Sequence, residues 1–238
     1  MDKADSKVVA LIPAFNEVTH IEAVVRGARA HAATVLVIDD GSRDGTAAAA
    51  ALAGAVVIAN PVNRGKGVAL RKGFDWAVRH GADLAFTLDA DGQHDPAEMP
   101  DFLAEHARSG ADLIIGQRAY AQMPRVRRWA NRTGRLLLRL ALGQGLPDNQ
   151  SGYRLHSRRL LAFLLAQERA RTAARFSYEV EVIAHAVGAG FRISWVPIRT
   201  IYGDEASHFH PIHDSLDFLR MVWRVWRMRR EAEARRSR

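Results

Sequence analysis

The sequence predicts an α/β fold in which a mostly parallel sheet is covered by helices on both faces. Three observations predict it. Short apolar runs rich in β-branched residues alternate with longer segments of helical periodicity, as in repeated βα units. The runs are continuously apolar, which is typical of strands buried on both faces. Hydrophobic residues make up 48% of the 238 residues and charged residues 25%, so the chain can build a sizeable core.

Each element follows from a local pattern. The apolar runs predict strands in the first half of the chain at 8–12, 35–38, 56–59, 84–88 and 113–116. The periodic segments between them predict helices at 18–32, 46–53, 68–80 and 96–109. Asp95 is expected to cap the last of these, with Pro96 at its first position. Further helices near 157–168 and 177–187, a strand at 192–197 and a helical tail at 214–230 complete the prediction. We expect a catalytic domain over 1–213 and a basic amphipathic C-terminal helix and tail over 214–238.

Composition limits the chemistry and the location. The chain has no cysteine, which excludes disulfides and thiolate metal sites, so a metal would bind oxygen or imidazole, which favours Mg²⁺ or Mn²⁺ over zinc. No apolar run approaches the roughly 20 residues that span a bilayer, so we expect a cytoplasmic protein, soluble or peripheral on the inner face of the cell membrane. The net charge of +8 suits nucleic acid, anionic lipid or a phosphorylated substrate as a partner.

Polar residues follow four of the predicted strands. The segments are "PAFNE" (13–17), "DDGSRDGT" (39–46), "NRGKG" (63–67) and "DADGQH" (89–94). A single such segment would be ordinary turn chemistry. The carboxyl ends of parallel strands share one edge of a sheet, so four such segments together predict a ligand crevice there.

The segment "TLDADGQHDP" predicts a metal site. Asp89 and Asp91 follow a buried strand, and the small Ala90 between them leaves room for a ligand. Mg²⁺ and Mn²⁺ favour one or two carboxylates together with substrate phosphates. Gln93 offers an amide oxygen, and His94 is a weaker candidate. We therefore interpret the loop as a clamp for a metal and a diphosphate. Glycines flank Lys66 in "RGKG" just before a helix, which favours a phosphate contact over a solvated loop lysine.

The motifs together resemble the family 2 inverting glycosyltransferases. The resemblance rests on "VVALIPAFNE", "VIDDGSRDGT", "NRGKGVALRKGF", "TLDADGQHDP" and "DNQSGYRLHS", and it runs from about residue 7 to 218. It is strongest with the branch of dolichyl- and polyprenyl-phosphate mannosyl- and glucosyltransferases. The resemblance implies a glycosyltransferase-A fold, a GDP- or UDP-hexose donor and a polyprenyl-phosphate acceptor.

The resemblance also implies roles for individual residues. The nucleotide and its diphosphate are expected against Pro13, Phe15, Glu17, Ile38, Asp40, Lys66, Asp89, Ala90 and Asp91. The metal is expected on Asp91 and Gln93, and Arg118 is expected to face a phosphate. The implied catalytic set is Asp89, Asp91, Arg118 and Arg132.

The acceptor side is predicted in the second half of the chain. Arg132 belongs to a helical stripe of arginines, and the resemblance places it near the acceptor phosphate. The loop "DNQSGYR" supplies the candidates Asp148, Gln150, Ser151 and Arg154. A polyprenyl phosphate is already anionic and needs no strong base, whereas a hydroxyl acceptor would need one, for which Asp148 is the candidate. Of Glu179 and Glu181, at most one can face inward, and the resemblance favours Glu181.

Three other functions remain open at this point. The same donor chemistry could serve a hydroxyl acceptor, such as a glycan or a small metabolite. A basic nucleic-acid-binding protein is permitted by the pI of 10.5, but the acidic and glycine-rich loops do not serve that function. A nucleotidyltransferase is disfavoured by the "DNQSGYR" segment. The tail carries tryptophans and arginines at helical spacing, which predicts either packing on the domain or contact with a membrane surface.

Overall fold

The computed structural model describes residues 6–118, 151–167 and 178–199, together with Val222, Trp223, Trp226, Arg227 and Arg230. The strands of these ranges are β1 (Val8–Ala14), β2 (Thr34–Asp39), β3 (Val56–Ala59), β4 (Leu84–Thr87), β5 (Leu113–Arg118), β6 (Arg154–Ser157) and β7 (Ile193–Ile198). The helices are α1 (Ile21–Arg29), α2 (Thr46–Leu52), α3 (Lys66–Arg79), α4 (Met99–Ser109), α5 (Arg158–Gln167) and α6 (Tyr178–Ala189).

The described strands form one sheet in the order β3-β2-β1-β4-β6-β5-β7. Every neighbouring pair is parallel except the two that involve β6, which runs antiparallel to β4 and β5. The predicted mostly parallel sheet is therefore confirmed. The antiparallel strand was missed, since "RLHS" is short and polar and gains its hydrogen bonds only by fitting between β4 and β5.

Both faces of the central strands β1, β2 and β4 are buried, as the continuous apolar runs predict, whereas the edge strand β3 is partly exposed. Along β1, Val9 and Leu11 belong to one apolar cluster and Ala10 and Ile12 to the other, because successive side chains point to opposite faces. The first cluster includes residues of α3, α5 and α6, and the second includes residues of α1, α2 and α4. The sheet thus forms the rigid middle layer that holds the strand-end loops in place.

Several helix boundaries differ from the prediction by a few residues, and the starts of α1 and α4 have a clear physical reason. Helix α1 begins at Ile21 rather than at residue 18, since the amides of His20 and Ile21 both donate to the carbonyl of Glu17 and form a turn first. The segment predicted as one helix over 96–109 begins as a short 3₁₀ turn, Pro96–Glu98, before α4. Asp95 caps that turn by accepting from the amide of Ala97 at 2.9 Å, as predicted.

Among the described residues, no helix is both long enough and apolar enough to cross a bilayer. The proposed division at residue 213 falls outside the described residues and stays a prediction.

Candidate active site

A cleft of about 280 Å³ opens at the carboxyl ends of the central strands. All four predicted polar loops contribute to its wall, which is lined by Pro13, Ala14, Phe15, Glu17, Asp40, Asn63, Lys66, Ala69, Asp89, Ala90 and Asp91. The sequence therefore located the crevice correctly. Parallel strands have their carboxyl ends at the same edge of the sheet, so the loops that follow them lie side by side at that edge.

The first two loops are tied together by side chains that bond to backbone. Asn16 has a φ of 57°, in the left-handed region that asparagine tolerates. Its side-chain oxygen accepts from the amide of Arg43 at 3.0 Å, and its own amide donates to Ser42 Oγ at 2.9 Å. The amide of Glu17 donates to Thr46 Oγ1 at 2.8 Å. These bonds fix the loop that carries Phe15 and Glu17 at the rim of the cleft.

Asp40 organises the third loop. Its buried carboxylate accepts from Asn60 Nδ2 at 2.7 Å, from the amide of Arg64 at 3.0 Å and from the amide of Gly65 at 2.6 Å. The resemblance implied a contact between Asp40 and the nucleotide base. Asp40 does line the cleft, but its oxygens already hold the loop that leads to Lys66.

A close approach between the second and third loops requires a glycine. Gly41 has a φ of 83°, and a Cβ at this position would lie 2.7 Å from the carbonyl carbon of Val62. A side chain here would be strained and would also collide with backbone. Gly41 therefore allows the loop after β2 to pack against the loop after β3, where Asp40 makes its bonds.

An ionic cluster of three residues lies at the cleft, and two of them, Lys66 and Asp89, line its wall. The ammonium of Lys66 lies 2.6 Å from Asp89 Oδ1 and 3.0 Å from Glu179 Oε1. Gly152 packs against it so closely that a Cβ there would lie 3.0 Å from both Asp89 oxygens and from Lys66 Nζ. We call Lys66, Asp89 and Glu179 the ionic cluster. It joins the third loop, the fourth loop and the first turn of α6.

The charges in the ionic cluster hold one another ionised. Burial alone would raise the pKa of Asp89, but the charge of Lys66, its hydrogen bond to Asp89 and the charge of Arg118 lower it to about 2. Burial also opposes the charge of Glu179, yet Lys66 and Arg154 hold the pKa of that carboxyl below its usual range. The two carboxylates in turn raise the pKa of Lys66 against the effect of burial. All three groups are therefore charged at neutral pH.

Lys66 lies in the cleft with 37% of its side chain exposed and is paired with two carboxylates; its predicted phosphate contact stays a prediction. The resemblance favoured Glu181 as the inward residue, but the ion pair with Lys66 is made by Glu179. Tyr178 directly precedes Glu179 in α6, and its ring lies 3.4 Å from the position that a Cβ on Gly67 of α3 would take. Helix α6 therefore packs against α3 through the face that carries Tyr178.

The fourth loop, which we call the metal loop and define as residues 89–94, is held in a compact shape. Asp91 Oδ1 accepts from the amide of Gln93 at 2.9 Å, and Gly92 between them has a φ of 76°. The amide of Asp89 donates to His94 Nδ1 at 3.0 Å. Burial lowers the pKa of His94, so its ring is neutral. The loop therefore presents Asp91 to the cleft on a preformed backbone.

The oxygen donors of the metal loop fit Mg²⁺ or Mn²⁺. Among the described residues, no group of three or more His, Asp or Glu side chains gathers as a complete protein-only site. These ions are commonly held by one or two protein oxygens together with substrate phosphates and water. Asp91 lines the cleft, and Gln93 adds an amide oxygen to the same loop. The donor set is therefore suited to a metal that arrives with a diphosphate.

The remaining predicted residues fall in three places. Arg118 ends β5 and lies close enough to lower the pKa of Asp89. Ile38 is fully buried in the core and is not part of the cleft wall. Ser151 and Arg154 are also buried, and Arg154 donates to the carbonyls of Ser151 and Glu179, each at 2.7 Å. These bonds hold the backbone of Glu179 in the ionic cluster. Arg132, Asp148 and Gln150 lie outside the described residues.

Sequence reasoning preferred Glu181 to Glu179 and did not single out Gly152 as part of the site. Their common neighbour, Lys66, is far away along the chain, and no local pattern connects them. The small residue in "SGYR" was a signal of close backbone approach, but its partner could not be named from the sequence.

Comparisons with known proteins agree with this geometry. Residues 9–165 match the family model described as Glycosyl transferase family 2. Polyprenol monophosphomannose synthase of Mycolicibacterium smegmatis is 32% identical over 211 residues, which cover 81% of this chain and 76% of the relative. Undecaprenyl-phosphate mannosyltransferase of Micrococcus luteus is 31% identical over 207 residues, covering 82% and 84%.

The fold has been seen in a solved structure. Glucosyl-3-phosphoglycerate synthase from Mycobacterium tuberculosis, in complex with Mn²⁺, UDP and glucosyl-3-phosphoglycerate, superposes with a TM-score of 0.69 at 23% identity. The match covers 95% of this chain and 81% of that one. This likeness confirms the glycosyltransferase-A fold. Because the family match spans all four loops that build the cleft, we conclude that this chain is a glycosyltransferase and belongs to glycosyl transferase family 2.

Proposed function

We propose that the protein transfers a hexose from a nucleotide-sugar to a polyprenyl-phosphate-type acceptor, with inversion at the anomeric carbon. The observation that carries the proposal is the state of the two carboxylates in the ionic cluster. Asp89 and Glu179 are both paired with Lys66, and both have a lowered pKa. A general base works best with a pKa near the operating pH. Neither carboxylate is therefore suited to remove a proton from a hydroxyl, and an acceptor that is already anionic does not need one.

The reaction is a single displacement. A phosphate oxygen of the acceptor attacks the anomeric carbon while the bond from that carbon to the donor diphosphate breaks. The transition state has oxocarbenium character, and the electron pair of the broken bond leaves with the nucleoside diphosphate. Phe15, Glu17 and Asn63 line the part of the cleft proposed for the nucleotide. We assign Lys66, which lines the cleft, and Arg118, whose charge acts on Asp89, to the donor diphosphate.

Asp91 and Gln93 would hold Mg²⁺ or Mn²⁺. When bound, the metal would neutralise the diphosphate and stabilise it as a leaving group. Asp89 keeps its charge beside Lys66, so the cleft balances positive and negative groups before the donor arrives. The proposal is supported by the relatives, which are named for transfer to polyprenol and undecaprenyl phosphates.

A membrane surface is the place where a polyprenyl phosphate is found, and the C-terminal segment has features that suit one. Val222 packs against the core, whereas Trp223 and Trp226 are 56% and 46% exposed. The guanidinium groups of Arg227 and Arg230 lie over these two rings, at 5.7 and 5.2 Å from their centroids. Tryptophan favours the headgroup level of a bilayer, and arginine is attracted to anionic lipid. We propose that this segment contacts an anionic membrane surface.

The donor is identified first, and the acceptor is tested afterwards. A thermal-shift screen with UDP-, GDP- and dTDP-hexoses in the presence of Mn²⁺ identifies the donor, since a bound ligand stabilises the fold. Transfer is then compared between a short-chain polyprenyl phosphate and the corresponding polyprenol. We expect product only with the phosphate. Product with the polyprenol or with a soluble hydroxyl compound, and none with the phosphate, would assign the alternative acceptor class.

The metal is tested by Asp91→Asn and by EDTA. Both should abolish transfer, and EDTA should do so reversibly, because the diphosphate loses its counter-charge. Circular dichroism and thermal unfolding should remain close to those of the wild type. Full transfer in EDTA would remove the metal from the proposal.

The membrane contact is tested by sedimentation with vesicles of anionic lipid at low salt. The wild type should sediment and be released at high salt, and the double variant Trp223→Ala, Trp226→Ala should stay in solution. Neutral vesicles serve as the control. If the wild type ignores anionic vesicles at low salt, the C-terminal segment has a different role.

A further inference from the structure

We propose that His94 is a positioning residue that closes the metal loop and fixes Asp89 relative to Asp91 before any ligand binds. This inference rests on the proposed function of the site. Its first basis is a single hydrogen bond, in which the amide of Asp89 donates to His94 Nδ1 at 3.0 Å. The bond joins the first residue of the metal loop to the last, so the segment that carries Asp91 and Gln93 is closed into a ring.

The bond continues the hydrogen bonding of strand β4 beyond its last residue. The amide of Leu88 donates to the carbonyl of Leu11 at 3.1 Å, which is the last contact to the neighbouring strand in this direction among the described residues. The next amide, that of Asp89, turns to His94. An amide left without an acceptor at such a partly buried position is costly. His94 therefore determines where the chain leaves the sheet and enters the metal loop.

The imidazole is held in place from its other side. It is only 7% exposed, and it lies 5.1 Å from the ring of Tyr153 with an angle of 30° between the two planes. Tyr153 packs against Phe102 with ring centroids 4.6 Å apart. Its hydroxyl donates to the carbonyl of Asp95 at 2.9 Å. Tyr153 thereby fixes the plane of the His94 ring, so the direction of Nδ1 is set by the packing of β6 and α4 against the loop.

This geometry also determines what His94 does not do. A backbone amide can only donate, so Nδ1 is the acceptor and carries no proton. That nitrogen is occupied by Asp89 and is not available as a metal ligand. His94 thus acts through Asp89 and the loop it closes. Some residues do not bind a metal themselves but orient the residues that do. Replacing such a residue commonly weakens metal affinity by about 10- to 100-fold.

Three substitutions test the hydrogen bond. In His94→Asn, the side-chain oxygen takes roughly the place of Nδ1, so the bond to Asp89 can form. In His94→Gln, the oxygen lies one bond further out, and in His94→Leu there is no acceptor. His80→Leu is the matched control, because His80 also bonds through Nδ1 but lies at the exposed end of α3.

The measurements are Mn²⁺ binding by electron paramagnetic resonance, calorimetric binding of UDP and of GDP with and without Mn²⁺, and thermal unfolding. We expect His94→Leu and His94→Gln to weaken Mn²⁺-dependent nucleotide binding by about 10-fold or more. His94→Asn and His80→Leu should stay within about threefold of the wild type, and nucleotide binding without metal should change little in all four. The comparison of Asn with Gln remains informative even if the leucine variant fails to fold.

Two results would overturn the inference. If His94→Leu melts at a lower temperature but binds Mn²⁺ and nucleotide normally, the residue has only a structural role. If the asparagine variant loses binding as the glutamine variant does, the hydrogen bond to Asp89 is not what positions the loop. A wild type that binds no nucleotide with Mn²⁺ would be a different failure, since it would overturn the proposed function together with this inference.

Discussion

Lys66→Met is expected to destabilise the metal-free protein and to change how its stability depends on pH. The substitution keeps a side chain of similar length and removes the ammonium that lies 2.6 Å from Asp89 and 3.0 Å from Glu179. Both carboxylates then stand partly buried beside the wall that Gly152 forms, without the cation that balances them. Removing one partner of a buried ion pair is costly, because the other charge is left desolvated and without its counter-charge.

The size of the effect follows from the pKa of Asp89. It falls from its ordinary value of 3.8 to about 2, and linkage converts this change into about 2.4 kcal/mol of stabilisation at neutral pH. The side chain of Asp89 is 28% exposed, so solvent screening lowers that figure. With the contribution of Glu179 included, we expect Lys66→Met to lower the free energy of unfolding by about 2 kcal/mol. For a chain of this size, that lowers Tm by about 4–8 °C.

The pH dependence gives the sharper test. In the wild type, the lowered pKa means that Asp89 contributes stability above about pH 4 and that this contribution is lost as the pH falls towards 2. In Lys66→Met, burial is no longer outweighed by the lysine, so the pKa of Asp89 rises and its charge becomes unfavourable at neutral pH. The difference in unfolding free energy between the two proteins should therefore be largest at pH 7 and shrink in acid.

Urea unfolding in EDTA at several pH values between 7 and 3 measures this difference. Arg79→Met is the matched control, because Arg79 pairs with Asp75 at 2.8 Å on the exposed surface of the same helix α3. Such a surface pair contributes less than about 1 kcal/mol, and its removal should have a small effect at every pH. If Lys66→Met is as stable as Arg79→Met at pH 7, or keeps the acid dependence of the wild type, the reasoning about the ionic cluster is refuted.

Two further substitutions test the surroundings of the cleft. Gly152→Ala places a Cβ 3.0 Å from Asp89 and Lys66, so the two side chains must shift. Nucleotide binding, measured by calorimetry, should weaken several-fold, and the free energy of unfolding should fall by about 1 kcal/mol. Unchanged nucleotide binding would contradict the close packing. The second substitution is at Glu98. Its Oε1 accepts from the amide of Arg199 at 2.8 Å, and its Oε2 is buried with no partner among the described residues. Burial raises the pKa of this carboxyl. Glu98→Gln keeps that acceptor and removes the charge, so it should raise Tm at pH 7 and lose this advantage in acid; a lower Tm at pH 7 would contradict the assignment.

The sequence by itself determined the βα rhythm, the edge of the sheet at which the cleft opens and the loop that carries Asp91. These features are local. Apolar runs identify buried strands, periodic segments identify helices, and Asp95 before Pro96 identifies a helix start, all without reference to distant residues. The resemblance to family 2 rests on the same kind of information, because each of its motifs is a short contiguous segment. The family match over residues 9–165 confirms it.

Only the tertiary structure decided which distant residues complete the site. Which glutamate of α6 reaches Lys66 depends on the side of α6 that packs against α3, and helical periodicity alone cannot choose between Glu179 and Glu181. The insertion of β6 between β4 and β5 depends on unpaired backbone groups that a four-residue polar segment does not reveal. Asp40 likewise looks free in the sequence, yet folding brings the amides of Arg64 and Gly65 to its carboxylate. In each case the deciding interaction joins residues far apart in the chain, and their meeting is set by packing.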